Sequence, residues 1–187
     1  MSMEAATFAR LREIADMLPQ FPGMGKVEIA DGEIVMMTSP VRRHERAVLQ
    51  IARQLNAQLP TTHPGFIAHP GADLEDAGLG LRRPDLMVFA EAALDLETPA
   101  LLPPEVLLVV EVVSQSNPEN DYHGKVRDYA ATGIPHYLLV DPRDGTGIVH
   151  SQPDYTAPEK FTFGDRISVG PWTIDTGELM TYGAGRN

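Results

Sequence analysis

The chain of 187 residues contains no cysteine and no long apolar segment, and both absences narrow what it can do. Without cysteine, disulfides and thiolate metal sites are excluded, so any bound metal must be held by Asp, Glu, His or carbonyl oxygen. No stretch approaches the roughly 18–20 apolar residues needed to cross a bilayer. The N-terminus is amphipathic and lacks the continuous apolar region of a signal peptide. We therefore expect a soluble, cytoplasmic protein without a membrane partner.

Positive charge is also scarce, since 15 Lys and Arg residues stand against 26 Asp and Glu, for a formal net charge of -11. Phosphate binding needs a basic surface, so this balance weighs against a protein that coats nucleic acid with its whole surface. Two local arginine clusters are present, in VRRHER (41–46) and LRRPD (81–85). Each is either a set of solvated side chains or a local phosphate-binding site.

The composition, with 43% hydrophobic and 22% charged residues, is typical of one globular domain, and we expect residues 1–187 to form it. Apolar residues at helical spacing and terminal signals predict helices over residues 5–18, 44–59 and 118–132. Pro19 and Pro60 are expected to end the first two helices, and Gly133 the third.

Segments rich in β-branched residues alternate with these helices. Residues 26–37 predict a hairpin whose tight turn is Asp31-Gly32. Further strands are predicted at 66–70, 84–90, 105–114 and 136–141, with a polar loop between the first two of these and short antiparallel strands towards the C-terminus. A helix separates the last two strands, so they should form a parallel, right-handed crossover. The expected fold class is α/β (α+β), with a mixed central sheet flanked by helices.

Two carboxylates lie where this expected core is most apolar. Strand alternation puts Val109, Glu111 and Val113 on one face of the central strand, and an ionised glutamate there is costly unless it is paired or bound to a cation. Asp85 begins a neighbouring strand and poses the same problem. Two such carboxylates repel one another unless a divalent ion lies between them, and oxygen ligands suit Mg²⁺ or Mn²⁺.

The helix after the central strand carries a lysine that could complete this site. Asp121, Lys125 and Tyr129 recur at i, i+4 spacing and therefore share a helix face. The Lys125 ammonium could orient water or stabilise charge that develops on a phosphorus centre. The alternative is structural: Glu111 forms an ion pair with Lys125 or Arg127, and the aspartate merely begins a strand.

Three segments resemble one known family. They are VEIADGEIVMM (27–37) with the histidine that follows it, RRPDLMVF (82–89) and LLVVEVVSQSNPENDYHGKVRDYAATGIPHYLLVDP (107–142). Their order and spacing resemble the Uma2 family, also called domain of unknown function 820, over most of residues 26–180. The resemblance implies the restriction-endonuclease-like fold of the PD-(D/E)XK superfamily, with the core order helix, three strands, helix, strand.

The resemblance also implies a chemistry. In such enzymes an Asp and a Glu bind Mg²⁺, which polarises the scissile phosphate and lowers the pKa of the attacking water. On this sequence they correspond to Asp85 and Glu111, with Mg²⁺ or Mn²⁺ as the cofactor and DNA as the expected substrate. The superfamily usually has lysine two residues after the glutamate, where this chain has Val113. The resemblance implies that Lys125 takes over that position in space.

Two further residues are candidates for the same site. Glu33 on the hairpin could supply a third carboxylate or simply face solvent, and His44 could meet a phosphate or help to order the site. We expect Glu33 to converge with the other three candidates. Because a nuclease of this fold often cuts two strands, a homodimer is also expected. The open alternatives are a catalytically silent metal- or nucleic-acid-binding regulatory module, and a structural or interaction protein whose two core carboxylates lie far apart.

Overall fold

The helices follow the predicted apolar stripes. A computed structural model describes residues 3–19, 21–114 and 118–183. Its α-helices are α1 (Ala5–Met17), α2 (Arg42–Thr62) and α3 (Lys125–Ala131). The apolar stripe of α2, which includes Ile51 and Leu55, is buried as expected. The predicted three helices are therefore confirmed in position.

The strands number twelve within the described residues. They are β1 (Met24–Ala30), β2 (Glu33–Thr38), β3 (Phe66–His69), β4 (Leu74–Asp76), β5 (Gly80–Arg82), β6 (Leu86–Ala90), β7 (Val106–Val112), β8 (His136–Asp141), β9 (Thr146–Ser151), β10 (Glu159–Thr162), β11 (Arg166–Val169) and β12 (Trp172–Asp175). The Asp31-Gly32 turn joins β1 to β2, and both turn residues have positive φ, 50° and 80°. That geometry is the tight hairpin turn that the sequence predicts.

The central sheet has six strands in the order β10-β9-β8-β7-β6-β3. Only β7 and β8 are parallel among these pairs, and the helical segment that ends in α3 connects them. The remaining neighbours are antiparallel. The fold is therefore the predicted mixed sheet, with the apolar β7 at its centre.

Each face of this sheet has its own apolar core. On one face, Leu108, Val110 and Val112 of β7 share a buried cluster with α2 and with the β11–β12 hairpin. On the other face, Val109 and Val113 pack with residues of α3 and of the loops around it. Glu111 points towards the second face, because side chains alternate along β7. The strand therefore presents its carboxylate towards α3.

A second sheet corrects the predicted loop between β3 and β6. This segment contains the hairpin β4–β5, which joins β1 and β2 in a four-stranded sheet of order β2-β1-β5-β4. Gly80 makes the close approach possible, because a Cβ at its position would lie 2.0 Å from the carbonyl oxygen of Ile29. The two strands have three residues each, too short for a periodic pattern to indicate them.

Two helix boundaries also differ from expectation. Pro60 lies inside α2 and the helix continues to Thr62, because proline removes only its own N–H donor and the helical bonding resumes with the 2.8 Å bond from the His63 N–H to the carbonyl of Leu59. Before α3, residues Asn120–Gly124 form a π-helical turn that a sequence pattern of 3.6 residues does not predict. No helix of the described residues is both long and apolar enough to cross a membrane.

Candidate active site

Asp85 and Glu111 are brought opposite one another by the register of two strands. β6 and β7 are antiparallel, and Leu86 pairs with Val110. Continuing this register by one residue places Asp85, which immediately precedes β6, across from Glu111. Residues directly opposite in such a pair point to the same face of the sheet. The Asp85 carboxylate also accepts a hydrogen bond of 2.8 Å from the backbone N–H of Val112, which fixes it at the end of β7.

Asp85 is surrounded by donors. Its Oδ2 atom accepts the Val112 N–H and lies 3.0 Å from Nε2 of His44, while its Oδ1 atom contacts Nζ of Lys26. Burial alone would raise the pKa of Asp85, but the hydrogen bond from His44 and the charge of Lys26 hold that pKa well below its usual range. His44 responds in the opposite sense: burial would lower its pKa, but the bond to Asp85 raises it. Asp85 is therefore a fixed anion.

Glu111 has a different environment. Its Oε1 atom lies 2.9 Å from Nζ of Lys125 and accepts a 3.1 Å hydrogen bond from the hydroxyl of Tyr129. Burial raises the pKa of Glu111 to about 8, and the charge of Asp85 adds to this shift while Lys125 opposes it. An anion here is thus held against a desolvation cost, which an additional cation would relieve.

Lys125 is the centre of a buried ionic network. Its Nζ lies 2.9 Å from Glu111, 2.9 Å from Oδ1 of Asp121 and 3.7 Å from Oε1 of Glu28. Burial alone would lower the pKa of Lys125, but the charges of these three carboxylates hold it well above its ordinary value. Because its side chain is 3% exposed, Lys125 is a fixed, permanently charged group.

Glu28 connects this network to the four-stranded sheet. Its side chain is fully buried, and it accepts a 3.1 Å hydrogen bond from Arg82 and another of 3.1 Å from the backbone N–H of Arg83. Arg82, buried as well, also contacts Asp128 on α3. One arginine of the LRRPD cluster is therefore structural, because its guanidinium joins β5 to α3 inside the protein instead of facing a phosphate.

A cavity of about 370 Å³ opens onto these groups. Its lining includes one histidine, His44, one tyrosine, Tyr182, and five charged residues, Lys26, Asp85, Glu111, Asp121 and Lys125. With all three carboxylates ionised and the imidazole neutral, these groups carry one more negative than positive charge, and an ionised Glu111 requires a pH above its raised pKa or a further cation. An excess of oxygen anions in a confined site favours a cation.

The donor set fits a hard divalent cation with few protein ligands. Carboxylates that line the same cavity, Asp85 and Glu111, supply oxygen ligands, and Mg²⁺ is commonly held by one or two carboxylates together with water and substrate phosphate. Over residues 3–19, 21–114 and 118–183 no group of three or more Asp, Glu or His side chains has the arrangement of a metal cage. The chain therefore fits a metal site of two carboxylates and does not offer a complete shell of its own.

Comparison with known proteins assigns the family. A family model for Uma2, described as "Putative restriction endonuclease", matches residues 11–173. The chain belongs to the Uma2 family. A crystal structure described as "a putative nuclease belonging to DUF820", from Anabaena variabilis ATCC 29413, superposes with a TM-score of 0.70 at 14% sequence identity, over 92% of this chain and 96% of that chain. No curated protein gives a significant match. The structural likeness confirms the fold.

Four residues that the Uma2 resemblance and the strand pattern single out lie together. Asp85, Glu111, Lys125 and His44 all line the cavity. Glu33 lies elsewhere: it is exposed at the turn end of β2, where it pairs with Ala30, and it is not among the cavity residues of the described chain. The hairpin carboxylate that contacts Lys125 is Glu28, at 3.7 Å, and it too is not among the cavity residues of the described chain.

Lys26, which lines the cavity, and Glu28, which contacts Lys125, are the residues of this candidate site that sequence reasoning missed. They alternate with Val27 and Ile29 on β1, a pattern typical of a strand with one solvent-facing side. Here the polar side is instead covered, since Glu28 is fully buried and the Lys26 side chain is 28% exposed. The burial of Glu28 follows from its pairing with the internal Arg82, which only the three-dimensional packing reveals.

Proposed function

We propose that this Uma2 protein is a divalent-metal-dependent endonuclease that hydrolyses phosphodiester bonds, with DNA as its substrate. The observation that carries the proposal is the placement of Asp85 opposite Glu111 at one cavity, with Lys125 bonded to Glu111. The family description and the nuclease named for the similar structure support the same reaction class.

Asp85 and Glu111 would hold Mg²⁺ or Mn²⁺. When bound, such an ion polarises the phosphate and lowers the pKa of a water molecule. His44 and the Val112 N–H fix the orientation of Asp85, and Lys125 with Tyr129 fixes that of Glu111. Fixed ligands avoid reorganisation during reaction.

The reaction would form a bond from water oxygen to phosphorus as the bond to the leaving sugar oxygen breaks. The water loses a proton, and the leaving oxygen takes one up. Lys125 contributes permanent positive charge beside Glu111, which offsets the negative charge of the carboxylates while the phosphorus centre is attacked. In this way the helix after β7 would supply the charge that Val113 cannot.

The test is cleavage of supercoiled plasmid and short duplexes with Mg²⁺ or Mn²⁺, against a chelator control. Asp85→Asn and Glu111→Gln should each slow cleavage by about 100-fold or more, because each removes a ligand charge. Glu159→Gln, an exposed carboxylate on β10, is the matched control. Cleavage that persists in both cavity variants would disprove the assignment.

Glu33→Gln tests whether Glu33 is the third carboxylate that the sequence predicts. Because Glu33 is exposed, we expect unchanged cleavage.

A catalytically silent binding module is the second candidate. Lys26 occupies one oxygen of Asp85, and Val113 replaces the usual lysine with a fully buried apolar side chain. Mn²⁺ binding that depends on Asp85, without cleavage of supercoiled, linear or single-stranded substrates, would favour this module. Turnover that depends on the carboxylates would exclude it.

We also propose that the protein acts as a homodimer, because cutting both strands of a duplex at one place calls for two centres, and a two-fold pair is the commonest oligomer. Light scattering after size-exclusion chromatography should give twice the chain mass of 20.4 kDa. A mass of one chain at working concentration would contradict this part of the proposal.

A further inference from the structure

A second lysine, Lys26, is aimed into the cavity by an irregularity in β1. The pairing of β1 with β2 shifts register between Met24 and Val27, so the strand carries a bulge at Gly25 and Lys26. A Cβ on Gly25 would lie 2.5 Å from the carbonyl oxygen of Thr38, so this close approach requires glycine. Bulges of this kind redirect side chains. The bulge is therefore the local feature that places Lys26 at Asp85.

The contact between Lys26 and Asp85 differs from the other contacts of this carboxylate. Lys26 meets Oδ1, whereas His44 and the Val112 N–H both bond Oδ2. Asp85 therefore keeps two bonds, and its orientation, if Lys26 moves away. The lysine side chain is 28% exposed and the carboxylate 5% exposed, so the ammonium lies on the solvent side of the pair.

Lys125 lacks this freedom. It is 3% exposed and its ammonium lies among three carboxylates, so its departure would leave buried anions without a partner. Lys26 has one carboxylate partner and a flexible four-carbon side chain with access to the cavity. Of the two cavity lysines, Lys26 is the one that can exchange partners.

We propose that Lys26 is an exchangeable cation of this site. Its ammonium neutralises Asp85 in the metal-free protein and would move to a non-bridging oxygen of the substrate phosphate when Asp85 holds a divalent cation. The inference rests on the proposed nuclease function and deepens it, because it names the side chain that contacts the substrate phosphate. Lys26 from β1 then adds a cation that contacts the substrate to the fixed charge that Lys125 supplies in place of a lysine at position 113.

The exchange predicts opposite changes in metal affinity and in turnover. Lys26→Met keeps the length of the side chain and removes the competing charge, so Mn²⁺ alone, measured by calorimetric titration, should bind about 10-fold more tightly than to the wild type. At saturating Mn²⁺ the same variant should cleave a duplex about 10- to 100-fold more slowly, because the phosphate loses a cation. Lys160→Met, the same charge change at an exposed position of β10, should alter neither quantity.

Lys26→Arg provides the second variant, since it retains the charge at the bulge. It should bind Mn²⁺ as the wild type does and recover most of the cleavage lost in Lys26→Met. Mn²⁺ affinity that is unchanged or weaker in Lys26→Met would overturn the exchange, and so would tighter Mn²⁺ binding with unchanged cleavage. A wild type that binds no Mn²⁺ would overturn the proposed function itself, and this inference with it. If the wild type binds Mn²⁺ and Asp85→Asn abolishes this binding, the metal site of the proposed function stands, and a failure of the Lys26 variants then counts against the exchange alone.

Discussion

The two lysines of the cavity belong to regions that are built differently. Lys125 is buried among Glu28, Glu111 and Asp121, within a network that reaches the central sheet at Glu111 and the four-stranded sheet at Glu28 and Arg82. Lys26 is partly exposed, comes from a bulged strand and meets a single carboxylate. The first region fixes charge in place, and the second leaves charge near the surface where a ligand can replace it.

The carboxylates of the two regions differ in the same sense. The donors around Asp85 hold its pKa low, while burial raises the pKa of Glu111 to about 8. The two residues lie opposite one another on adjacent strands, so strand position does not explain the difference. It follows from the number and type of donors at each carboxylate. A site can thus combine a permanent anion with one whose charge depends on a partner.

The largest expected effect comes from breaking the buried network. Arg82→Met should lower the free energy of unfolding by about 3–5 kcal/mol, because it leaves Glu28 buried without its arginine. Arg127 also pairs with Asp128 but is 55% exposed, so Arg127→Met should cost about 1 kcal/mol or less. Chemical denaturation of both variants measures the difference. Equal losses would show that burial does not distinguish the two arginines.

A smaller effect is expected from the hydroxyl that holds Glu111. Tyr129→Phe removes the 3.1 Å hydrogen bond to Oε1, and the loss of a bond to a charged group should cost about 1.5–3 kcal/mol. Tyr155→Phe is the matched control, since its hydroxyl donates to the neutral carbonyl of Ile134 at 2.9 Å and should cost about 0.5–1.5 kcal/mol. Urea unfolding curves of the two variants at pH 9, above the raised pKa of Glu111, compare them. A control that loses more stability than Tyr129→Phe would contradict a charged Glu111.

A further effect is a difference in pH dependence between the two carboxylates. The folded pKa of Glu111 lies above its unfolded value, so the folded protein binds more protons and loses stability as pH rises towards 8. Glu111→Gln lacks this loss. The melting temperature of the variant minus that of the wild type should therefore increase between pH 5 and pH 8. Asp85 has a lowered pKa and stabilises the fold above its unfolded pKa, so Asp85→Asn should be less stable than the wild type at neutral pH. Thermal melts of the metal-free proteins across this range measure both trends, and parallel curves for wild type and Glu111→Gln would count against the raised pKa.

The sequence predicts the frame of the site because the frame depends on long periodic segments. The apolar β7, the stripe of α2 and the crossover to β8 are each specified by many residues, so local exceptions do not change the result. The approach of Lys125 to Glu111 follows from the helix spacing of Asp121, Lys125 and Tyr129. These are local patterns whose geometry is fixed by secondary structure.

The remainder of the site depends on contacts between distant segments. Glu28 and Lys26 belong to a strand whose alternation is typical of an exposed side. Glu28 is covered because α3 and β5 pack beside it, and Lys26 is partly covered where it meets Asp85. Glu33 is the contrasting case: it lies a few residues further along the hairpin and remains exposed because no other segment of the described chain covers it there. Which hairpin carboxylate reaches Lys125 is decided by tertiary packing that no single-sequence pattern encodes.

Val113 sets a limit on how this protein could be redesigned. Its side chain is fully buried in the cluster that contains Tyr129, and its carbonyl accepts a 2.7 Å hydrogen bond from the hydroxyl of Tyr182. Val113→Lys would therefore insert an ammonium into packed apolar surroundings. One substitution cannot place a lysine two residues after Glu111, because the side chains around this position, Tyr129 among them, pack against a valine. An engineer who wants a different catalytic cation here should begin at the bulge on β1.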